Sequence, residues 1–132
     1  MTTIKNTTEI NKNVAEVYKF LADLNNHEQL MPENIYNWSS TSDEARFTIQ
    51  NMAKLALKVE DRIENHIIKL VPLEKAPFEV TLRWELQDVT ATVTKATFII
   101  DAELNMMMKM IASGPLQKLV DFQISKLKEV FG

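Results

Sequence analysis

The sequence predicts an α+β domain in which an antiparallel sheet of six to seven strands lies against one long C-terminal helix, with two short helices after the first strand. Three observations carry this. Residues 78–87, FEVTLRWELQ, alternate without a break: Phe78, Val80, Leu82, Trp84 and Leu86 on one side, Glu79, Thr81, Arg83, Glu85 and Gln87 on the other. Side chains alternate across a sheet, so this is a strand with one dry and one wet face. Residues 95–104, KATFIIDAEL, repeat the arrangement with Ala96, Phe98, Ile100, Ala102 and Leu104 inward. Leu116, Leu119, Val120, Ile124, Leu127, Val130 and Phe131 then recur at helical spacing, with Lys118, Asp121, Ser125, Lys128 and Glu129 on the far side.

The remaining elements follow in order. Residues 3–10 alternate and read as a strand. In NKNVAEVYKFLADL the period changes to three and four through Val14, Val17, Tyr18 and Leu21, which predicts a helix with Asn13 as its N-cap and Glu16 three residues on. NNHEQLMP is a second, short helix stopped by Pro32. From Tyr36 onward the pattern is β: ARFTIQ, LALKVEDRI and HIIKLVPL are strands, with the turn signal TSDE before the first and IENH before the last; QDVTAT separates the last two strands of the chain. A helix over residues 115–131 would be about 25 Å long. It is the only element large enough to cover the dry face of such a sheet.

Composition narrows the function classes. The chain has 132 residues, 45% hydrophobic and 25% charged, which suits one domain over residues 1–132 with an ordinary globular balance. Net charge is −3 and no basic block occurs, so nucleic acid is not an expected partner. No cysteine is present, which removes disulfides, thiolate metal sites and cysteine nucleophiles. The only glycines are Gly114 and Gly132, so no glycine-rich phosphate loop exists and turns must use Asn, Asp, Ser and Glu. The N-terminus lacks the pattern of a signal peptide and no apolar run reaches the length of an integral membrane span. A soluble, cytoplasmic protein is the expectation.

The order strand, two short helices, about six strands and long helix resembles the START-like (SRPBCC, helix-grip) superfamily. EINKNVAEVYKFLADLNNHEQLMPE looks like its opening strand and helices, PFEVTLRWEL and ATFIIDAELN like its last two long strands, and PLQKLVDFQISKLKEVF like its closing helix. The resemblance spans essentially the whole chain and contains no catalytic motif. It implies a curved sheet that wraps the long helix and leaves a cavity between them. It also implies binding of a small apolar molecule such as a lipid, quinone or polyketide-like compound. Some members are cyclases or dehydratases, and others are assembly factors or chaperone regulators.

On the two clearest strands no inward residue titrates, which gives acid–base catalysis little to work with. Leu82, Trp84, Phe98 and Ile100 are either plain core or the wall of a ligand cavity. Trp84 stands out because a buried indole N–H needs a partner. By strand parity Asp61 shares the face of Val59 and Ile63, and His66 that of Ile68 and Leu70. Asn6 shares the face of Ile4 and Ile10. Inward, these would be candidate ligand anchors or the acid and base of a cyclase; near strand ends they would be solvated. His27 reads as a helix-surface cap, with a ligand or general-base role as the alternative. The two histidines are too far apart in sequence to suggest a metal site, and no cofactor is expected.

The stretch LNMMMKMIASGPLQKL holds four of the seven methionines, Met106, Met107, Met108 and Met110. Projected back at 100° per residue, a straight C-terminal helix puts Lys109 on the core face and Met107, Met110 and Ile111 in solvent. That arrangement predicts a short helical turn from Met106, capped by Asn105, and a kink at Gly114-Pro115; the competing solution is that the last strand runs on, its inward parity continuing through Met106, Met108 and Met110. Met107 and Met110 would then line or gate the cavity. The alternatives are that they plug it, or form an exposed patch, with Lys109 at its rim, for a protein partner or a membrane surface.

Overall fold

A computed structural model describes all residues, 1–132. The strands are β1 (Thr2–Ile10), β2 (Ile35–Ser40), β3 (Glu44–Ile49), β4 (Ala53–Ile63), β5 (Ile67–Pro72), β6 (Val80–Thr90) and β7 (Val93–Ala102). They form one curled antiparallel sheet in the order β1-β7-β6-β5-β4-β3-β2. Between β1 and β2 lie helix α1 (Val14–Ala22) and a 3-10 segment, Leu24–Leu30. Helix α2 (Met106–Phe131) closes the chain and packs on β1, β7 and the 3-10 segment.

The sheet follows the predicted alternation. Val80, Leu82, Trp84 and Leu86 of β6 and Ala96, Phe98, Ile100 and Ala102 of β7 are all buried. Cross-strand register sets Trp84 opposite Phe98 and Leu82 opposite Ile100. The Trp84 and Phe98 rings stack, with centroids 4.6 Å apart and planes 17° from parallel. On the outer face, Thr3 Oγ1 and Arg83 Nη1 both donate to Asp101, at 2.6 and 2.7 Å, tying β1, β7 and β6 together. These two donors hold the Asp101 carboxyl below its ordinary pKa, the Thr3 hydrogen bond most strongly.

With almost no glycine, three asparagines take the left-handed backbone positions: Asn37, Asn51 and Asn65, at φ of 56°, 63° and 63°. A short amide side chain tolerates this region better than other non-glycine residues. The caps also form as expected. Asn13 Oδ1 accepts from the Glu16 backbone N–H at 2.9 Å, and Asn105 Oδ1 from that of Met108 at 2.8 Å.

The expected kink at Gly114-Pro115 is absent: α2 runs unbroken from Met106 to Phe131 with Pro115 inside it. Pro115 leaves one carbonyl, that of Ile111, without its helical donor, and Ile111 is on the exposed side where water can serve as partner. The buried stripe runs back from Leu116 through Ala112 to half-buried Met108. Each step of four residues turns the contact line about 40° around the axis. The line therefore passes Lys109 by and leaves it exposed.

Candidate functional site

The site is the seam between the concave sheet face and α2. It holds a cavity of about 20 Å³ lined by twelve residues, ten of them hydrophobic. The sheet contributes Trp38, Ala45, Phe47, Leu57, Leu70, Leu82 and Phe98; α2 contributes Leu119 and Gln123; Leu24 and His27 of the 3-10 segment and Met31 just after it close it. That volume admits about one water molecule. Anything larger enters only by displacing side chains.

The segment that carries His27 is fixed from outside. Arg62 donates to the carbonyl oxygens of Ala22 (2.8 Å) and Ser42 (2.9 Å) and pairs with Asp43 at 2.9 Å. The Leu24 backbone N–H donates to the same Ser42 oxygen at 3.1 Å. Leu24, His27 and Leu30 recur every third residue, the period of a 3-10 helix, and all three are buried.

His27 is therefore an interior residue, 3% exposed, and not the surface cap expected from sequence. Its Nε2 lies 2.8 Å from the Leu21 carbonyl oxygen. A carbonyl oxygen only accepts, so Nε2 carries the hydrogen and Nδ1 is the ring's acceptor. Burial lowers the His27 pKa, outweighing the Leu21 hydrogen bond and the nearby Asp23 charge, so the ring is held neutral. Gln123 is the one polar residue on the buried stripe of α2, 2% exposed. Its Nε2 faces the Met31 sulfur at 3.7 Å, while Oε1 is buried with no partner in the protein.

In the sequence His27 reads as a surface cap and Gln123 is not singled out, though each carries a signal of burial. His27 has leucines three positions to either side, and Gln123 sits four positions from both Leu119 and Leu127.

Of the residues singled out from sequence, Leu82 and Phe98 line the cavity. Trp84 and Ile100 are fully buried beside it, and Trp84 Nε1 has no partner in the protein. The others are elsewhere. Met107 and Met110 are 71% and 84% exposed, because the unbroken helix carries them on its outer face. Asp61 is exposed: a bulge between Val59 and Asp61 breaks the parity that would have turned it inward. His66 is exposed in the turn before β5 and borders a shallow groove with Glu85, Gln87 and Lys95 on the outer face. Asn6 is half-buried at the seam, where its Nδ2 donates to Asp121 of α2 at 3.0 Å. None of Asp61, His66 and Asn6 reaches the cavity.

No protein-family model and no curated protein matches the chain. Solved structures do. A START superfamily protein from Mycobacterium smegmatis superposes with a TM-score of 0.67 at 16% identity, over 97% of this chain and 98% of that one. The fold is START-like. The same arrangement recurs in XoxI from Bacillus cereus, with a TM-score of 0.78 at 11% identity over 99% of this chain and 96% of that one. It recurs again in the di-domain ARO/CYC protein BexL from the BE-7585A biosynthetic pathway, with a TM-score of 0.73 at 12% identity. That match spans 98% of this chain and 46% of BexL. No helix of this chain is long and apolar enough to cross a membrane.

Proposed function

We propose that the protein binds a small hydrophobic molecule between the sheet and α2. The reading rests on one observation above all: an apolar-lined cavity at the centre of the fold contains two buried polar side chains, and one of them has an acceptor that the protein leaves without a partner. Ligand sites are mostly apolar with a few placed polar groups. An unpaired buried acceptor destabilises a fold by about 1–3 kcal/mol, and a guest that carries a donor would relieve it. The START-like fold and its likeness to an ARO/CYC protein agree with a hydrophobic guest.

Binding has to widen the interior. The elements suited to this are Met31, which lines the cavity, is half-buried and is flexible by nature, and the short 3-10 segment. Native mass spectrometry of the gently purified protein, followed by organic extraction, tests the reading. The expected result is a bound apolar species of small mass, released by denaturation. Protein that is ligand-free and takes up no member of a panel of lipids, quinones and aromatic polyketides would refute it.

A second reading has an observation of its own. The interior is nearly filled, while Met106, Met107, Met110 and Ile111 stand 83%, 71%, 84% and 47% exposed around Lys109. A contiguous apolar surface of this kind suits a protein-interaction or assembly role with the cavity collapsed. A cyclase-type activity would need its acid and base from residues other than Asp61, His66 and Asn6.

A further inference from the structure

We infer that His27 and Gln123 act as an acceptor pair that selects an uncharged guest carrying an O–H or N–H donor. This rests on the reading that the interior takes a small apolar molecule. Both side chains line the same cavity. The Leu21 carbonyl fixes the hydrogen of His27 on Nε2, which leaves Nδ1 as a lone pair. The Met31 sulfur has no hydrogen to give, so the amide nitrogen of Gln123 faces it and Oε1 is turned away, buried and unpartnered. Two acceptors cannot satisfy each other.

The rest of the lining is Leu24, Met31, Trp38, Ala45, Phe47 and further apolar side chains, and none of it carries a positive charge. The Trp38 indole N–H is already given to Ser40 Oγ at 3.0 Å. The cavity therefore suits a hydroxyl or an amide N–H at the head of an apolar body. It opposes a carboxylate or phosphate, whose charge would meet the unpartnered Gln123 Oε1 with no cation among the lining residues. A carbonyl group without a hydrogen gains nothing from the pair. Among related molecules the pair favours the hydroxylated form over the bare hydrocarbon and over the acid.

Phenol, toluene and benzoate, similar in size and differing in this one respect, provide the test. Their dissociation constants are measured by 13C-methyl NMR at Met31 and Leu119 in the wild type and in Gln123→Leu, an apolar replacement of similar volume. Phenol and toluene should both bind, and benzoate should not. The phenol-to-toluene affinity ratio should be about tenfold higher in the wild type than in the variant. If toluene and phenol bind but the ratio is the same in both proteins, the acceptor pair is overturned while interior binding stands. Benzoate bound as tightly as phenol would also overturn it. If none of the three binds the wild type at millimolar concentration, the reading on which the inference rests falls with it. The melting temperature of Gln123→Leu, expected to match or exceed the wild type, shows that the variant is folded.

Discussion

Leu119 is the side chain through which α2 closes the cavity, and truncating it to alanine probes the seam directly. It is 1% exposed and touches the existing void of about 20 Å³. Leu119→Ala removes three buried carbons, worth about 0.8 kcal/mol each in transfer free energy, or about 2.4 kcal/mol. The enlarged cavity adds a further term, which in well-packed cores brings such changes to about 2–5 kcal/mol. Met31 lies alongside and can move partly into the space, which places the expected loss near 3 kcal/mol. For a chain of this length that is a fall of about 12 °C in melting temperature. Urea unfolding measures the first quantity and calorimetry the second. The enlarged cavity should also take toluene, so that saturating toluene recovers about 2–3 kcal/mol in the variant. A loss below about 1 kcal/mol, in the range of an ordinary surface change, would refute the packing of α2 over the cavity.

Four other changes test separate parts of the structure. Pro115→Ala should stabilise the protein by about 1–3 kcal/mol in urea unfolding, because it restores a hydrogen bond inside a continuous helix; a loss would indicate that proline serves a real break. Asn13→Ala removes the acceptor for the Glu16 backbone N–H and should lower stability by about 1 kcal/mol, with an unchanged value arguing against the cap. The double variant Met107→Gln, Met110→Gln should alter stability by less than about 0.5 kcal/mol, since both side chains are in solvent; a large loss would mean that they are packed. The fourth concerns pH. Burial lowers the folded-state pKa of His27 below its ordinary 6.5, so the unfolded chain takes up a proton more readily. The contribution is fully present above 6.5 and is lost as pH falls toward the depressed folded value. Between about pH 7.5 and 5.5 the wild type should lose more stability than His27→Gln, and equal losses would show that the ring is not buried neutral.

How much of this was legible in the sequence depended on how regular each element is. β6 and β7 follow a strict period of two, and every inward residue from Val80 to Leu86 and from Ala96 to Ala102 is buried as the alternation requires. The asparagine caps were equally plain, because only a short acceptor side chain fits those positions. Asp61 misled because one extra residue in β4 reverses parity, and a bulge has no fixed sequence mark. Met107 and Met110 misled for a different reason. Projection at a constant 100° ignores the drift of a contact line around a long helix, so it buried Lys109 and invited a kink that the helix does not need. His27 and Gln123 were hidden by being polar. Their spacing marked them as interior, whereas their residue types suggested surface, and it is such conflicts between pattern and chemistry that mark the candidate site.

The account stands most directly on whether an apolar guest enters the seam. Methyl-labelled protein, with assignments for the leucines and methionines, would be titrated with toluene and followed by NMR. The account predicts saturable shifts at Leu57, Leu82, Leu119 and Met31, which line the cavity, and none at Met107 and Met110, which face solvent. Shifts confined to Met106, Met107, Met110 and Ile111, with the interior leucines unmoved at millimolar toluene, would contradict it and turn attention to the exposed start of α2.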